Sequence, residues 1–117
     1  MKNDLNERLF IFAVRCLKFI RILPNSAEYK IIKYQLAKSS TSSGANYEES
    51  QAGSSKPDFN NKVRISLREM RESNYWLRII NEINDSSTVQ NEIALLIKES
   101  NELKNILGSI VQKTRRA

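Results

Sequence analysis

Apolar positions recur along this chain at alternating steps of three and four residues, in four separate stretches. The first holds Leu5, Leu9, Phe12, Cys16, Phe19 and Leu23, and the last holds Val89, Ile93, Leu96, Ser100, Leu103, Leu107 and Ile110. A third carries Phe59, Val63, Leu67, Met70, Leu77 and Ile80 on one face. Such spacing gathers side chains on one side of an α-helix, because about 3.6 residues complete a turn. The second stretch tests the rule, since "KSSTSSGANYEESQAGS" at 38–54 has the composition of a Gly/Ser linker. Stepping from Tyr29 through Ile32, Leu36, Ser39, Ser43, Asn46, Ser50 and Gly53 nevertheless keeps one register across it, and charged residues stay off the ladder. A linker has no reason to respect a phase. Residues 26–52 therefore read as one helix whose second half presents small side chains to a neighbour, although Ser, Thr and Gly are indifferent or poor helix formers.

The helices expected are approximately 4–23, 26–52, 56–84 and 87–114, within one domain spanning 1–117. The segments between them, "LPNSAE", "GSSKPD" and "NDSST", each hold a potential cap: Asn25 with Glu28 three later, Ser55 with Asp58 three later and Pro57 in the first turn, and Ser86 or Ser87. Connections this short force antiparallel neighbours, so the pattern predicts an all-α, up-down-up-down four-helix bundle. At 27 or so residues each, the three longer helices would run about 40 Å.

The first helix is too apolar for that bundle alone. Its apolar positions cover an arc of about 200°, where about 100° suffices for a surface helix. The third has a second apolar strip, Ile65, Trp76, Ile79 and Ile83. Two helices with two apolar faces predict self-association into a closed homo-oligomer, with Phe10, Leu17, Trp76 and Ile79 at the interface.

Composition removes most chemistry. There is no histidine, which takes away the usual general base, nucleophile activator and commonest metal ligand together. A lone cysteine, Cys16, builds neither an internal disulfide nor a zinc site and reads as a small buried hydrophobe. No phosphate-cradling Gly-rich loop occurs. No catalytic residue, metal ligand or cofactor is expected, and the protein reads as a non-enzyme. Arg8, Arg15, Lys18 and Arg21 interrupt the apolar N-terminal stretch, so neither a signal peptide nor a membrane span is expected and the location reads as cytoplasmic.

Net charge is +6, with +3 in residues 1–24, 0 in 25–55, +2 in 56–84 and +1 in 85–117, so the excess is distributed. On the third helix Arg64, Arg68, Arg71, Tyr75 and Arg78 fall in one row at steps of four, three, four and three. Guanidinium groups and an aromatic ring on one face suit a phosphate backbone and a stacked base. The competing reading is a solvated, ion-paired face. Arg8, Arg15 and Lys18 form a second candidate set for nucleic acid. Asn46 and Glu49 on the second helix and Glu69 and Glu72 on the third, with Arg68 and Arg71, read as a polar seam that fixes helix register.

The segments "NERLFIFAVRCLKFIRILP", "QLAKSSTSSGANYEES", "DFNNKVRISLREMRESNYWLRIINE" and "NELKNILGSIVQK" resemble, in order and spacing, the bacterial four-helix-bundle proteins encoded by intervening sequences within 23S ribosomal RNA genes. The resemblance covers essentially the whole chain. It implies a pentameric ring of four-helix bundles. It extends, more distantly, to the accessory variability determinant protein of diversity-generating retroelements, a basic pentameric barrel that binds nucleic acid and a reverse transcriptase. This sequence departs from the pattern at Ser40, Ser43 and Ser50, where alanine or isoleucine is more usual, which makes the seam more polar. The expected function is binding of RNA or DNA by an oligomer; the alternative is a scaffold whose ring binds another protein such as a reverse transcriptase.

Overall fold

The computed structural model describes residues 4–53 and 55–116, the last by its backbone alone. Four helices make up the described residues: α1 (Asp4–Ile20), α2 (Ala27–Ser50), α3 (Lys56–Ile83) and α4 (Gln90–Arg116), with a 3₁₀ turn at Ser87–Val89 leading into α4. Each helix packs on its two neighbours in the order α1, α2, α3, α4 and back to α1, giving a rod of 46 × 24 × 23 Å. Cross-helix pairs run in opposite senses along the chain, Ser39 to Ser73 and Ser43 to Ser66, or Arg8 to Glu99 and Arg15 to Glu92, so sequential helices are antiparallel and α1 is antiparallel to α4.

Local chemistry sets the ends. α1 stops at Ile20, three residues before the expected Leu23, because Pro24 excludes helical backbone at the residue preceding it. The N–H groups of Arg21, Ile22 and Leu23 instead reach back three residues, to Lys18, Phe19 and Ile20, and Leu23 stays buried. The expected cap Asn25 does not cap α2. Ser26 is its N-cap residue, and Asn25 Oδ1 accepts from Lys33 Nζ at 2.7 Å. α2 ends at Ser50 rather than 52, and Gly53 follows at φ +81°, a left-handed conformation suited to glycine. Ser55 Oγ accepts from the Asp58 N–H at 3.3 Å, with Pro57 in the first turn of α3, where no backbone bond is lost. Ser86 Oγ accepts from the Thr88 N–H at 3.2 Å at the entry to α4.

The core is apolar through most of its length: Leu9, Phe12 and Phe19 of α1, Leu36 of α2, Met70 and Leu77 of α3, and Ile93, Leu96 and Leu103 of α4 are buried. Over the second half of α2 the fillers become serines. Ser39, Ser40 and Ser43 are at most 1% exposed, and Ser50 is buried. The helix runs straight through the linker-like stretch. Its ladder differs from the expected one at two rungs: Tyr47 is buried in place of Asn46, which is turned partly outward to donate to Ser42 O of its own helix at 2.9 Å, and Gly53 lies exposed beyond the helix end.

The α2–α3 contact shows why the serines are there. Ser43 Oγ donates to the carbonyl of Ser66 at 2.8 Å, and Ser66 Oγ donates to the carbonyl of Ser43 at 2.7 Å. A short side chain reaching a backbone oxygen in both directions requires closely approaching helices, toward the lower end of the usual range of about 8–10 Å. One turn away the Ser39 and Ser73 hydroxyls lie 2.8 Å apart; Ser73 has the Glu69 carbonyl as acceptor at 3.1 Å and Ser39 only the Leu36 carbonyl at 3.4 Å, which assigns Ser39 as the donor of the pair. No serine hydroxyl in this seam lacks an acceptor, so burial carries no desolvation penalty of about 1–3 kcal/mol per orphan.

The polar seam expected from Asn46, Glu49, Glu69 and Glu72 is therefore made by other residues. Glu49 and Glu72 are exposed, Asn46 bonds within α2, and Glu69 sits 3.7 Å from Arg68. Long carboxylates between α2 and α3 would push the backbones apart and forfeit the serine bonds.

Candidate nucleic-acid interface

The row on α3 is a consequence of helical phase. Residues 64, 68, 71, 75 and 78 lie opposite the buried Val63, Ser66, Met70, Ser73 and Leu77, and all five are exposed. Arg64 to Arg78 spans about 21 Å along the axis, fourteen rises of about 1.5 Å. Glu82 stands at the next step and closes the row with the opposite charge. Arg64 and Arg71 have no ion-pair partner among the described residues. Arg68 has only its neighbour Glu69 at 3.7 Å, and with Arg68 66% exposed that pair contributes little.

The C-terminal end of the row is more ordered. Arg78 Nε donates to Asn74 Oδ1 at 3.0 Å, while Asn74 Nδ2 donates to Ser100 Oγ at 2.8 Å and to Asn101 Oδ1 at 3.0 Å on α4. The guanidinium carbon of Arg78 lies 5.7 Å from the centroid of the Tyr75 ring, within cation–π range. Tyr75 in turn meets Trp76 edge to face, with centroids 5.1 Å apart and planes at 76°. The Asn74–Asn101 bond fixes the α3–α4 register, which in antiparallel helices brings Lys104 level with Arg71.

The candidate cations of α1 are placed otherwise. Arg8 binds Glu99 through two hydrogen bonds of 3.0 and 2.8 Å and also reaches Glu102 at 3.0 Å; Arg15 binds Glu92 through two bonds of 3.2 Å. The Glu99 hydrogen bonds hold the Arg8 proton more tightly than usual, against partial burial, and Glu102 adds to the effect. These two arginines join α1 to α4, and their charge is balanced by carboxylates. Lys18 is exposed.

Of the expected interface residues, Phe10 is 64% exposed and Leu17 is exposed too. Both line a groove of about 400 Å³ between α1 and α2, together with Leu9, Gly44 and Ala45. Trp76 and Ile79 are half-buried and pack against the core of their own chain, on a different flank. Cys16 offers no nucleophile: burial pushes its thiol up to about 12, against the opposing hydrogen bond with Ser40. No described helix is long and apolar enough to cross a membrane.

The reading of the row from sequence omitted Asn74, Ser100 and Asn101. The signal available was Asn74 four residues before Arg78, the spacing at which helix side chains meet. What sequence lacked was α4, which supplies the two groups that anchor the amide.

A comparison with the curated proteins finds no match. Among solved structures, a protein of unknown function from the S23 ribosomal protein family of Bacteroides thetaiotaomicron VPI-5482 is 30% identical and superposes with a TM-score of 0.79, over 92% of this chain and 97% of that one. The family model for the 23S rRNA-intervening sequence protein matches residues 1–109. By a match over nearly its whole length, the chain belongs to the 23S rRNA-intervening sequence protein family.

Proposed function

We propose that the protein is a non-enzymatic, oligomeric nucleic-acid-binding protein that grips phosphates of the RNA or DNA associated with a 23S rRNA intervening sequence through the α3 row. The observation that carries this reading is the contrast in charge balance between helices. Arg8 and Arg15 are matched by Glu92, Glu99 and Glu102, whereas Arg64 and Arg71 stand exposed and unmatched among the described residues, with Arg68 only loosely paired. Exposed, unmatched cations on one straight helix are the electrostatic footprint of a phosphate-binding surface. The family name, with its tie to ribosomal RNA, supports the same partner class.

Self-assembly would strengthen such binding. Phe10 and Leu17 leave an apolar groove uncovered on α1, which a second copy would cover. A pentamer, as the family resemblance implies, would carry a formal charge of 5 × (+6) = +30 and would multiply weak contacts through effective concentration. The Tyr, Trp and Arg cluster at Tyr75, Trp76 and Arg78 is also the chemistry of a protein-binding hot spot, which keeps a scaffold for another protein as the second reading.

The deciding measurement is binding of RNA against salt. Affinity should fall steeply as salt rises, and changing Arg64, Arg71 and Arg78 together to Gln should reduce the logarithmic slope by about two to three. Helicity and sedimentation should be unchanged. Wild-type protein that binds neither RNA nor DNA at low salt would leave the scaffold reading. An unaltered slope in the triple variant would move the contact surface off α3.

A further inference from the structure

Part of the basic row is constructed to a degree that charge alone does not require. Asn74 is 3% exposed, and its amide is fully engaged, donating to Ser100 Oγ and Asn101 Oδ1 and accepting from Arg78 Nε. Ser100 is itself fixed by donation to the Ile97 carbonyl at 2.9 Å. Through this chain α4 sets the direction of one surface guanidinium on α3. Arg64 and Arg71 carry the same charge with no such support. Burying an amide to aim a cation serves geometry rather than charge.

The geometry produced is an aromatic ring, half exposed, with an aimed planar cation held over it. Tyr75 is 50% exposed, braced edge to face by the half-buried Trp76, with the Arg78 guanidinium 5.7 Å from its centroid. The terminal nitrogens of Arg78 have no partner among the described residues, since its one hydrogen bond uses Nε. A braced ring loses little side-chain freedom when something stacks on it, and a free fork of N–H groups next to it fits a phosphate oxygen.

We propose that Tyr75 and Arg78 form a stacking platform for one unpaired base of a single-stranded nucleic acid, Tyr75 receiving the base and Arg78 the adjoining phosphate, with Asn74 as the positioning residue. This rests on the nucleic-acid reading above and narrows it to single strands. A duplex keeps its bases stacked inside and offers phosphates and groove edges; a single strand offers the π-face of each base. The two expectations differ in sign. Charge alone favours the duplex, whose phosphates are denser and which releases more counterion per contact. The platform favours the single strand.

The test uses the full-length protein and fluorescence anisotropy, with an unstructured single-stranded RNA and the duplex it forms with its complement, each over a range of salt. The single strand should bind more tightly. Tyr75→Ala should weaken single-strand binding about tenfold while leaving duplex affinity and the salt slope unchanged. Tyr75→Phe should retain it. Arg78→Lys keeps the charge and loses the aimed fork, so it should weaken the single strand at constant slope, and Asn74→Ala should do the same. A duplex bound as tightly as the single strand, or a Tyr75→Ala effect that is equal on both or absent from both, would overturn the platform while leaving phosphate binding in place. No binding to either probe would overturn the platform and the wider reading together.

Discussion

Two seams of the bundle solve the same problem in opposite ways. Between α2 and α3, serines meet serines and carbonyls at 2.7–2.8 Å in a buried contact, and every hydroxyl has an acceptor. Between α1 and α4, arginines meet glutamates at 2.8–3.2 Å at the edge of the core, with side chains a quarter to a half exposed. Short polar groups let backbones approach and leave no tolerance for a larger side chain. Long charged groups bridge a wider gap at the edge and tolerate change, because water substitutes for either partner. Ile11 and Leu95, which lie in sequence between the paired residues of the α1–α4 seam, remain exposed, as expected of a looser contact. The close fit in this molecule therefore belongs to the α2–α3 pair, and the more open contact to α1 and α4.

The severest break should come from adding volume to the close seam. Ser66→Leu cannot fit where a hydroxyl touches a facing carbonyl, and we expect a loss of about 3 kcal/mol in chemical denaturation. Arg8→Leu, a change of similar scale in the other seam, should cost less than a third of that. Equal losses would mean that the two seams are equally tight.

Hydroxyl deletions should then separate the two serine pairs. Ser43→Ala and Ser66→Ala each remove a donor but leave the facing carbonyl acceptor in place, so each should cost about 1 kcal/mol, and the double variant should fall short of the sum only by the weak contact between the two hydroxyls, 3.2 Å apart. Ser73→Ala differs, because Ser39 then keeps only a long contact to the Leu36 carbonyl at 3.4 Å. That single change should cost more than Ser39→Ala, and the double variant should cost less than the sum. Additivity at both pairs would contradict the donor directions described.

The charged seam should respond to salt where the serine seam does not. Arg8→Gln with Arg15→Gln should lower stability by about 1 kcal/mol at low ionic strength, shrinking toward zero at high salt. The cost of Ser43→Ala should stay constant over the same range.

The smallest effect concerns Cys16, between α1 and α2. Burial raises its thiol from 9.0 to about 12, so the folded state holds a proton that the unfolded chain releases first. Its contribution to stability is complete below about pH 9 and declines as pH rises toward 12. Cys16→Ala should remove that part of the alkaline slope, and an unchanged slope would assign the alkaline loss to other groups.

What the sequence determined by itself was periodic. The register from Tyr29 to Ser50 marked α2 as helical despite its linker-like composition, because a repeat of three and four reports which side of a helix faces inward whatever fills it. The exposure of the α3 row followed from the same phase. Where neighbours decide, sequence was silent or misleading. Asn46 and Tyr47 differ by about 100° of rotation, and only the packing of α2 selected Tyr47 for burial. Glu49 and Glu72 were expected in the seam and are exposed, since the serines had already drawn the backbones too close to admit them. Arg8 and Arg64 are the same residue in similar helical contexts, yet one is matched by Glu99 and the other is not, because the match comes from a helix some ninety residues away in sequence. Asn74 holds Arg78 through Ser100 and Asn101 for the same reason. A helix carries its own phase within a few turns of chain; the charge and hydrogen bonds that face it arrive only when distant segments pack.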